Sequence, residues 1–287
     1  MRRVLYSPNN RSGCRPIGLT SNGVRYFHLR ASVSTERDDA VCAPTVGHEA
    51  AWAALAEQGY ALTSDRALGL PDKFRENFHQ AYYNDQVLRN DQGDWPADRK
   101  RARDVIRYEW HGDALDLETY YKITITDRAQ QRGEREHARV KLLPDPQAEE
   151  LIRAFLALVP PSRRQQEGTF GINLFRTFTN VVTTPHHDDE EFILLYILNR
   201  IGDGADSYLY DPDDVSEDGQ VMAEPVLLQQ LNPGDLIVFE DQKFKHGATP
   251  LISPPGGTAM RDVLVCTVDY RTTYLEPKPN RAAMTPA

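Results

Sequence analysis

Residues 169–179 read TFGINLFRTFT, 190–200 EEFILLYILNR, 235–240 DLIVFE and 261–270 RDVLVCTVDY. These runs are rich in β-branched and aromatic residues, and Gly, Pro, Asp and Asn cluster between them. That is the pattern of strands separated by turns. Two shorter runs, SYLYD at 207–211 and AEPVLLQQL at 223–231, share the texture. No strand–helix alternation follows Gly168, which disfavours a doubly wound nucleotide-binding sheet. Short strands at this spacing predict a sandwich or closed barrel.

Upstream of Gly168 the periodicity changes. HEAAWAALAEQ places Ala51, Trp52, Leu55 and Ala56 on one stripe before Gly59, and Tyr60–Thr63 reads as a short strand. Pro71 opens a second helix, DKFRENFHQAYY, with Phe74, Phe78 and Tyr82 on one face. A third, PQAEELIRAFLAL at 146–158, is closed by Pro160 and Pro161. Residues 84–100 read as a loop, and short strands are expected at 103–110 and 119–126. The expected chain is α+β and β-rich. It has an irregular segment 1–45 and a single domain 46–276, made of a helical layer over 46–165 and barrel strands over 168–275. A flexible tail spans 277–287.

Charge narrows the partners. With 33 Lys+Arg against 42 Asp+Glu, the net charge is −9. Such a chain repels phosphate backbones and anionic lipid, so neither nucleic acid nor a membrane is an expected partner. The basic cluster Arg99-Lys100-Arg101 with Arg103 reads as a solvated loop or helix start. Three widely spaced cysteines, Cys14, Cys42 and Cys266, form no CxxC and point to reduced thiols in a cytoplasm. The longest apolar run, Phe192–Leu198, is far short of the ~20 residues of a membrane span. The N-terminus has two arginines but no apolar stretch of a secretory signal.

The chemistry concentrates in TTPHHDDEEF, 183–192. It holds two overlapping HxD triplets, His186-x-Asp188 and His187-x-Asp189. In an extended chain residues i and i+2 point the same way, about 7 Å apart, so an imidazole and a carboxylate converge on one ion. A third ligand is available in His246, within PGDLIVFEDQKFKHGATPL at 233–251. Two histidines and one carboxylate make the facial set of non-haem Fe(II) oxygenases, with three coordination positions left open. Alternation along RDVLVCTVDY places Arg261, Val263, Val265 and Thr267 on one face. An arginine on an otherwise apolar inward face needs an anionic partner, which a dicarboxylate cosubstrate would supply.

These stretches, with GADSYLYD at 204–211, resemble bacterial 2-oxoglutarate/Fe(II)-dependent dioxygenases of the free L-amino-acid hydroxylase type, such as isoleucine 4-hydroxylases. The resemblance covers about residues 170–271. It implies a double-stranded β-helix, the jelly-roll or cupin-like barrel, beneath the helical layer. It also implies Fe(II), 2-oxoglutarate and O2 as cofactors. Carried over by position, His186, Asp188 and His246 would hold iron, and Arg261 would grip the distal carboxylate of 2-oxoglutarate. The family's HxDGxxF pattern favours His186 and Asp188 over His187 and Asp189, because Phe192 then falls in register; Asp189 stands where glycine is usual.

The implied enzyme oxidises an unactivated C–H bond of a small free amino acid or amino-acid-derived metabolite, releasing succinate and CO2. Hydroxylation is the leading outcome. Desaturation or ring closure, such as cyclopropanation in natural-product biosynthesis, starts from the same hydrogen abstraction. The carboxylate of Asp188 argues against halogenation, since related halogenases lack it. A carboxylate-bearing substrate needs a second cation, for which Arg176 is the candidate, with Asn173, Tyr208 and Tyr210 as hydrogen-bonding groups. Rival readings are a cupin-like metal isomerase or binding module without 2-oxoglutarate, which leaves Arg261 without a role, and a metal-free protein with acidic loops. A carboxylate-pair hydrolase is discounted, because nothing fixes two carboxylates across a cleft.

Overall fold

The computed structural model describes residues 47–90, 99–119, 125–126, 134–135, 139–178 and 184–269. The segment 1–45 and the tail 277–287 lie outside them. Three α-helices are present among the described residues: α1 (His48–Gln58), α2 (Phe74–Tyr82) and α3 (Pro146–Leu156). The first strands are β1 (Tyr60–Ser64), β2 (Lys100–His111), β3 (Ala114–Thr119), β4 (Ile125–Thr126) and β5 (Glu134–Arg135). Then come β6 (Glu167–Thr177), β7 (Phe192–Ile201), β8 (Asp203–Gly204), β9 (Ser207–Tyr210) and β10 (Leu227–Gln229). The last are β11 (Asp235–Glu240), β12 (Lys245–Ala248), β13 (Leu251–Ile252) and β14 (Met260–Asp269).

Seven strands form one antiparallel sheet in the order β1-β11-β7-β14-β6-β2-β3. A second, smaller sheet has the order β10-β9-β12. The chain crosses between them, as expected for a double-stranded β-helix. The central strands of the large sheet are apolar on both faces, which is why they read as continuous hydrophobic runs. On β7, Phe192, Leu194, Tyr196 and Leu198 join the core shared with the helices. Ile193 and Ile197 turn inward to a second core with Leu209 of β9 and Phe239 of β11. The same parity holds on β14, where Leu264, Cys266 and Val268 face the helices and Val263 faces the interior.

The helices form because local signals agree with that outer core. Asp145 caps α3 by accepting the Gln147 N–H at 2.8 Å, and Pro146 sits in the first turn, where its missing N–H costs nothing. Leu151, Ile152 and Phe155 of α3 are fully buried. Tyr82 at the end of α2 donates to the other oxygen of Asp145 at 2.5 Å, tying the two helices together.

The stretch 46–165 is not helical throughout. β2 pairs with β6 from Lys100↔Arg176 to Glu109↔Glu167, so it is a full strand of the large sheet. The basic cluster Arg99 to Arg103 therefore leads into a strand and is no solvated loop or helix start. Its helix-side residues Ala102, Asp104 and Ile106 are fully buried, while Arg101 and Arg103 occupy the inward face. The strand expected at 103–110 is thus present, extended at both ends to Lys100–His111. The turn at Gly112, with φ 64°, joins β2 to β3; within the strand expected at 119–126, Thr119 ends β3 and Ile125–Thr126 form β4, and residues 120–124 lie outside the described residues.

Candidate metal centre

His186 and His246 sit opposite each other across a β-bridge. The His246 N–H donates to the His186 carbonyl at 2.9 Å and the His186 N–H donates back at 3.2 Å. This brings their ring centroids to 4.6 Å. Asp188 reaches the same point from two residues on. Its Oδ1 lies 3.4 Å from His186 Nε2 and its Oδ2 3.7 Å from His246 Nε2. Candidate ligand atoms of all three residues fall within 4.8 Å of one another. Two imidazole nitrogens and one carboxylate oxygen converging on one point suit an octahedral ferrous ion held on one face.

The loop's own backbone explains this convergence. Asp189 has φ 62°, in the left-handed region that glycine adopts most easily. Asp241, fully buried in the short 3-10 turn after β11, accepts the N–H groups of Asp188 and Glu190 on its Oδ2, both at 3.0 Å. One carboxylate thus clamps the loop on either side of the left-handed residue. His187 points away and donates from Nδ1 to the Asp241 carbonyl at 2.6 Å. The structure accordingly brings together the His186/Asp188 register, and not His187 with Asp189.

Neighbours set the ligands' protonation. His186 Nδ1 donates to the Thr184 carbonyl at 2.8 Å, leaving the Nε2 lone pair on the side of Asp188. Burial alone would lower the His186 pKa, but the Asp188 carboxylate outweighs it and holds the imidazole above its ordinary range. Burial would raise Asp188, yet His186 and His246 beside it hold the carboxyl below its ordinary range. The mutual attraction is that of a positive site with an anionic ligand.

A cavity of about 230 Å³ opens from these three residues and is lined by Leu195, Ser207, Thr249, Leu251, Arg261, Val263 and Val265. The Arg261 guanidinium is buried in it and donates to Ser207 Oγ at 3.3 Å. Among the described residues it makes no ion pair. Burial, and next the positive charge of Arg200, lower its pKa to about 10. Arg200 itself is engaged by the carbonyls of Leu231 and Gly204, at 3.3 and 2.6 Å. The cavity therefore runs from a three-ligand cluster to an uncompensated guanidinium, with apolar walls between.

Arg176 is not at this cavity. It lies on the helix side of β6, and its Nε and Nη2 each donate to fully buried Asp262 at 2.8 Å. His79 Nε2 approaches the same carboxylate at 2.6 Å. The expectation that Arg176 meets substrate is corrected: it neutralises a buried aspartate. The inward residues of β6 are its neighbours Phe175 and Thr177, which line the cavity. Asn173 shares their parity and donates to the Val265 carbonyl at 3.4 Å. Tyr208 is buried, packing edge-on against Tyr210 with ring centroids 5.2 Å apart. Sequence reasoning missed Asp241, whose partners are more than fifty residues away.

The 2OG-Fe dioxygenase family model matches residues 79–267, well over half of the chain, including all three clustered residues and Arg261. Among solved structures, a bsmA homologue from Methylobium petroleophilum superposes with a TM-score of 0.63 at 21% identity, covering 78% of this chain and 94% of its own. IDO from Bacillus thuringiensis gives 0.57 at 19% identity, covering 78% and 95%. The Fe(II)/α-ketoglutarate-dependent dioxygenase TqaL gives 0.57 at 13%, covering 77% and 88%. At these identities the likeness is one of fold. No curated protein matches the chain.

Proposed function

We propose, from the premise that the chain belongs to the 2OG-Fe dioxygenase family, that it oxidises an unactivated C–H bond of a small free amino acid or amino-acid-derived metabolite, hydroxylation being the main outcome. Family membership makes it a 2-oxoglutarate-dependent dioxygenase that uses Fe(II) and O2. The observation that carries the reading is the single cavity joining His186, Asp188 and His246 to Arg261. Support for an amino-acid substrate comes from the resemblance of HHDDEEFILLYILNR, DLIVFEDQKFKHGATPL and RDVLVCTVDY to free amino-acid hydroxylases.

In this reading His186, Asp188 and His246 hold the ion, and Arg261 with the Ser207 hydroxyl receives the distal carboxylate of 2-oxoglutarate. When bound, iron and the keto acid supply oxidative decarboxylation to succinate and CO2, coupled to C–H oxidation. The protein's share is orientation and dryness. Leu195, Val263 and Val265 line the wall with hydrocarbon, so water is excluded and the charge–charge contacts are strengthened. Asp241 keeps the ligand loop in its one productive shape by holding two backbone N–H groups. No helix among the described residues is long and apolar enough to cross a membrane.

The test is a mass-spectrometric screen of amino acids and their derivatives with Fe(II), 2-oxoglutarate and O2, scoring succinate and product mass together. A gain of about 16 mass units with succinate means oxygen insertion, and a loss of about 2 means desaturation or ring closure; both are outcomes of the same abstraction chemistry. Absence of Fe(II)-dependent succinate formation across the panel refutes the reading.

A further inference from the structure

We propose that Arg103 receives the carboxylate of the substrate, so that the enzyme acts on small carboxylate-bearing molecules and rejects their neutral amides; this rests on the oxygenase reading above. Arg103 lies on β2 opposite Asn173 of β6, which lies opposite Val265 of β14. Val265 lines the cavity, so Arg103 shares the inward parity. Its guanidinium extends over Gly171. A Cβ at that position would lie 3.6 Å from Arg103 Nη2 and 2.6 Å from Thr267 Oγ1. The missing side chain therefore leaves a low floor on which the planar fork rests.

Among the described residues Arg103 Nε is buried without a hydrogen-bond partner. The carboxylates of Glu190 and Asp188 act on it only at a distance, while burial, the larger effect, lowers its pKa. Two other arginines of this sheet are committed elsewhere. Arg107, on the same face of β2, pairs with Glu167, and Arg176 pairs with Asp262. A buried guanidinium whose Nε lacks a partner is costly unless a ligand completes it, and a carboxylate matches its fork bidentately.

The placement separates two anions. Gly171 lies opposite Thr267, six residues along β14 from Arg261. At about 3.3 Å per residue, the two positions stand roughly 20 Å apart along the strand. Arg103 itself lies level with Val265, four residues along β14 from Arg261, and its guanidinium reaches on to Gly171, so the two cations sit at different levels of the sheet. Arg261 serves the keto acid at one level and Arg103 the substrate at the other.

The experiment compares wild type, Arg103→Gln and Arg103→Lys, each loaded with Fe(II) and 2-oxoglutarate, on L-amino acids and the matching carboxamides. Succinate and product mass are the readouts. Wild type is expected to prefer acids over amides by at least about a hundredfold in kcat/KM, because a site built for a charged group rejects the analogue lacking it. Arg103→Gln is expected to lose at least about a hundredfold on the acids and to erase the preference, while Arg103→Lys, which keeps charge without the fork, falls between. The Lys variant carries the comparison if the Gln variant does not fold. Equal use of acids and amides by wild type overturns the proposal, as does an intact preference in Arg103→Gln or a panel in which no acid is oxidised. The visible absorption that develops when 2-oxoglutarate joins Fe(II) anaerobically is recorded in parallel. Its absence from wild type sinks the oxygenase reading itself. Its absence from Arg103→Gln alone moves Arg103 to the cofactor side and overturns the substrate assignment.

Discussion

Replacing Arg261 by methionine removes a buried positive charge whose hydrogen-bond partner among the described residues is the Ser207 hydroxyl, and which the proposed function assigns to 2-oxoglutarate. Burial and the nearby Arg200 charge depress its pKa below the ordinary arginine range, to about 10. A depression of that size corresponds to on the order of 3 kcal/mol held against the folded state. The folded pKa lies below the unfolded one. The cost is therefore fully present at neutral pH and fades only as pH rises from about 10 towards the unfolded value. Methionine has nearly the same length, fills the space and carries no charge, so Arg261→Met should stabilise the ligand-free protein by about 1–3 kcal/mol. For a chain of this size that is roughly 2–10 °C in Tm. Saturating 2-oxoglutarate, at about a hundred times its Kd, should stabilise iron-loaded wild type by about 2.7 kcal/mol and leave the variant unmoved. Anaerobic calorimetry with and without the keto acid reads both effects. A variant that melts below wild type yet still gains stability from 2-oxoglutarate would refute the reasoning.

The remaining predictions concern the supports of the site. His186→Ala should reduce Fe(II) affinity more than His187→Ala, measured by anaerobic metal titration; the opposite order would shift the ligand set by one residue. Asp241→Ala strands the N–H groups of Asp188 and Glu190 and should cost about 2–4 kcal/mol of stability as well as metal affinity. An unchanged melting curve would remove Asp241 from the clamp. Arg176→Ala leaves the Asp262 charge buried beside His79 and should destabilise by about 3–5 kcal/mol in a denaturant titration. A changed acid-over-amide preference with unaltered stability would return Arg176 to the substrate side.

The barrel strands were legible because burial on both faces leaves little room for polar residues in β7 and β11. The ligand cluster was legible because an HxD pair shares one side of an extended chain and His246 follows the next long strand. Arg261 followed from parity along β14 alone. The choice of Arg176 as the second cation had no such guide: the run GINLFRTF is apolar on both faces and does not say which face meets the cavity. The strand expected at 103–110 is present as β2, although its inward face carries Arg101, Arg103 and Arg107 where a core strand carries Val or Ile; what the basic cluster concealed is that the strand already begins at Lys100. Asp241 gave no local sign at all. Its role is to accept N–H groups from a loop that only the folded sheet brings to it.

Anaerobic titration of Fe(II), followed by 2-oxoglutarate, tests the central claim most directly. The account predicts one ferrous ion per chain in wild type, a visible absorption on adding the keto acid, and loss of stoichiometric metal in Asp188→Ala. Wild type that takes up no ferrous ion, or Asp188→Ala that binds iron and keto acid undiminished, would contradict it.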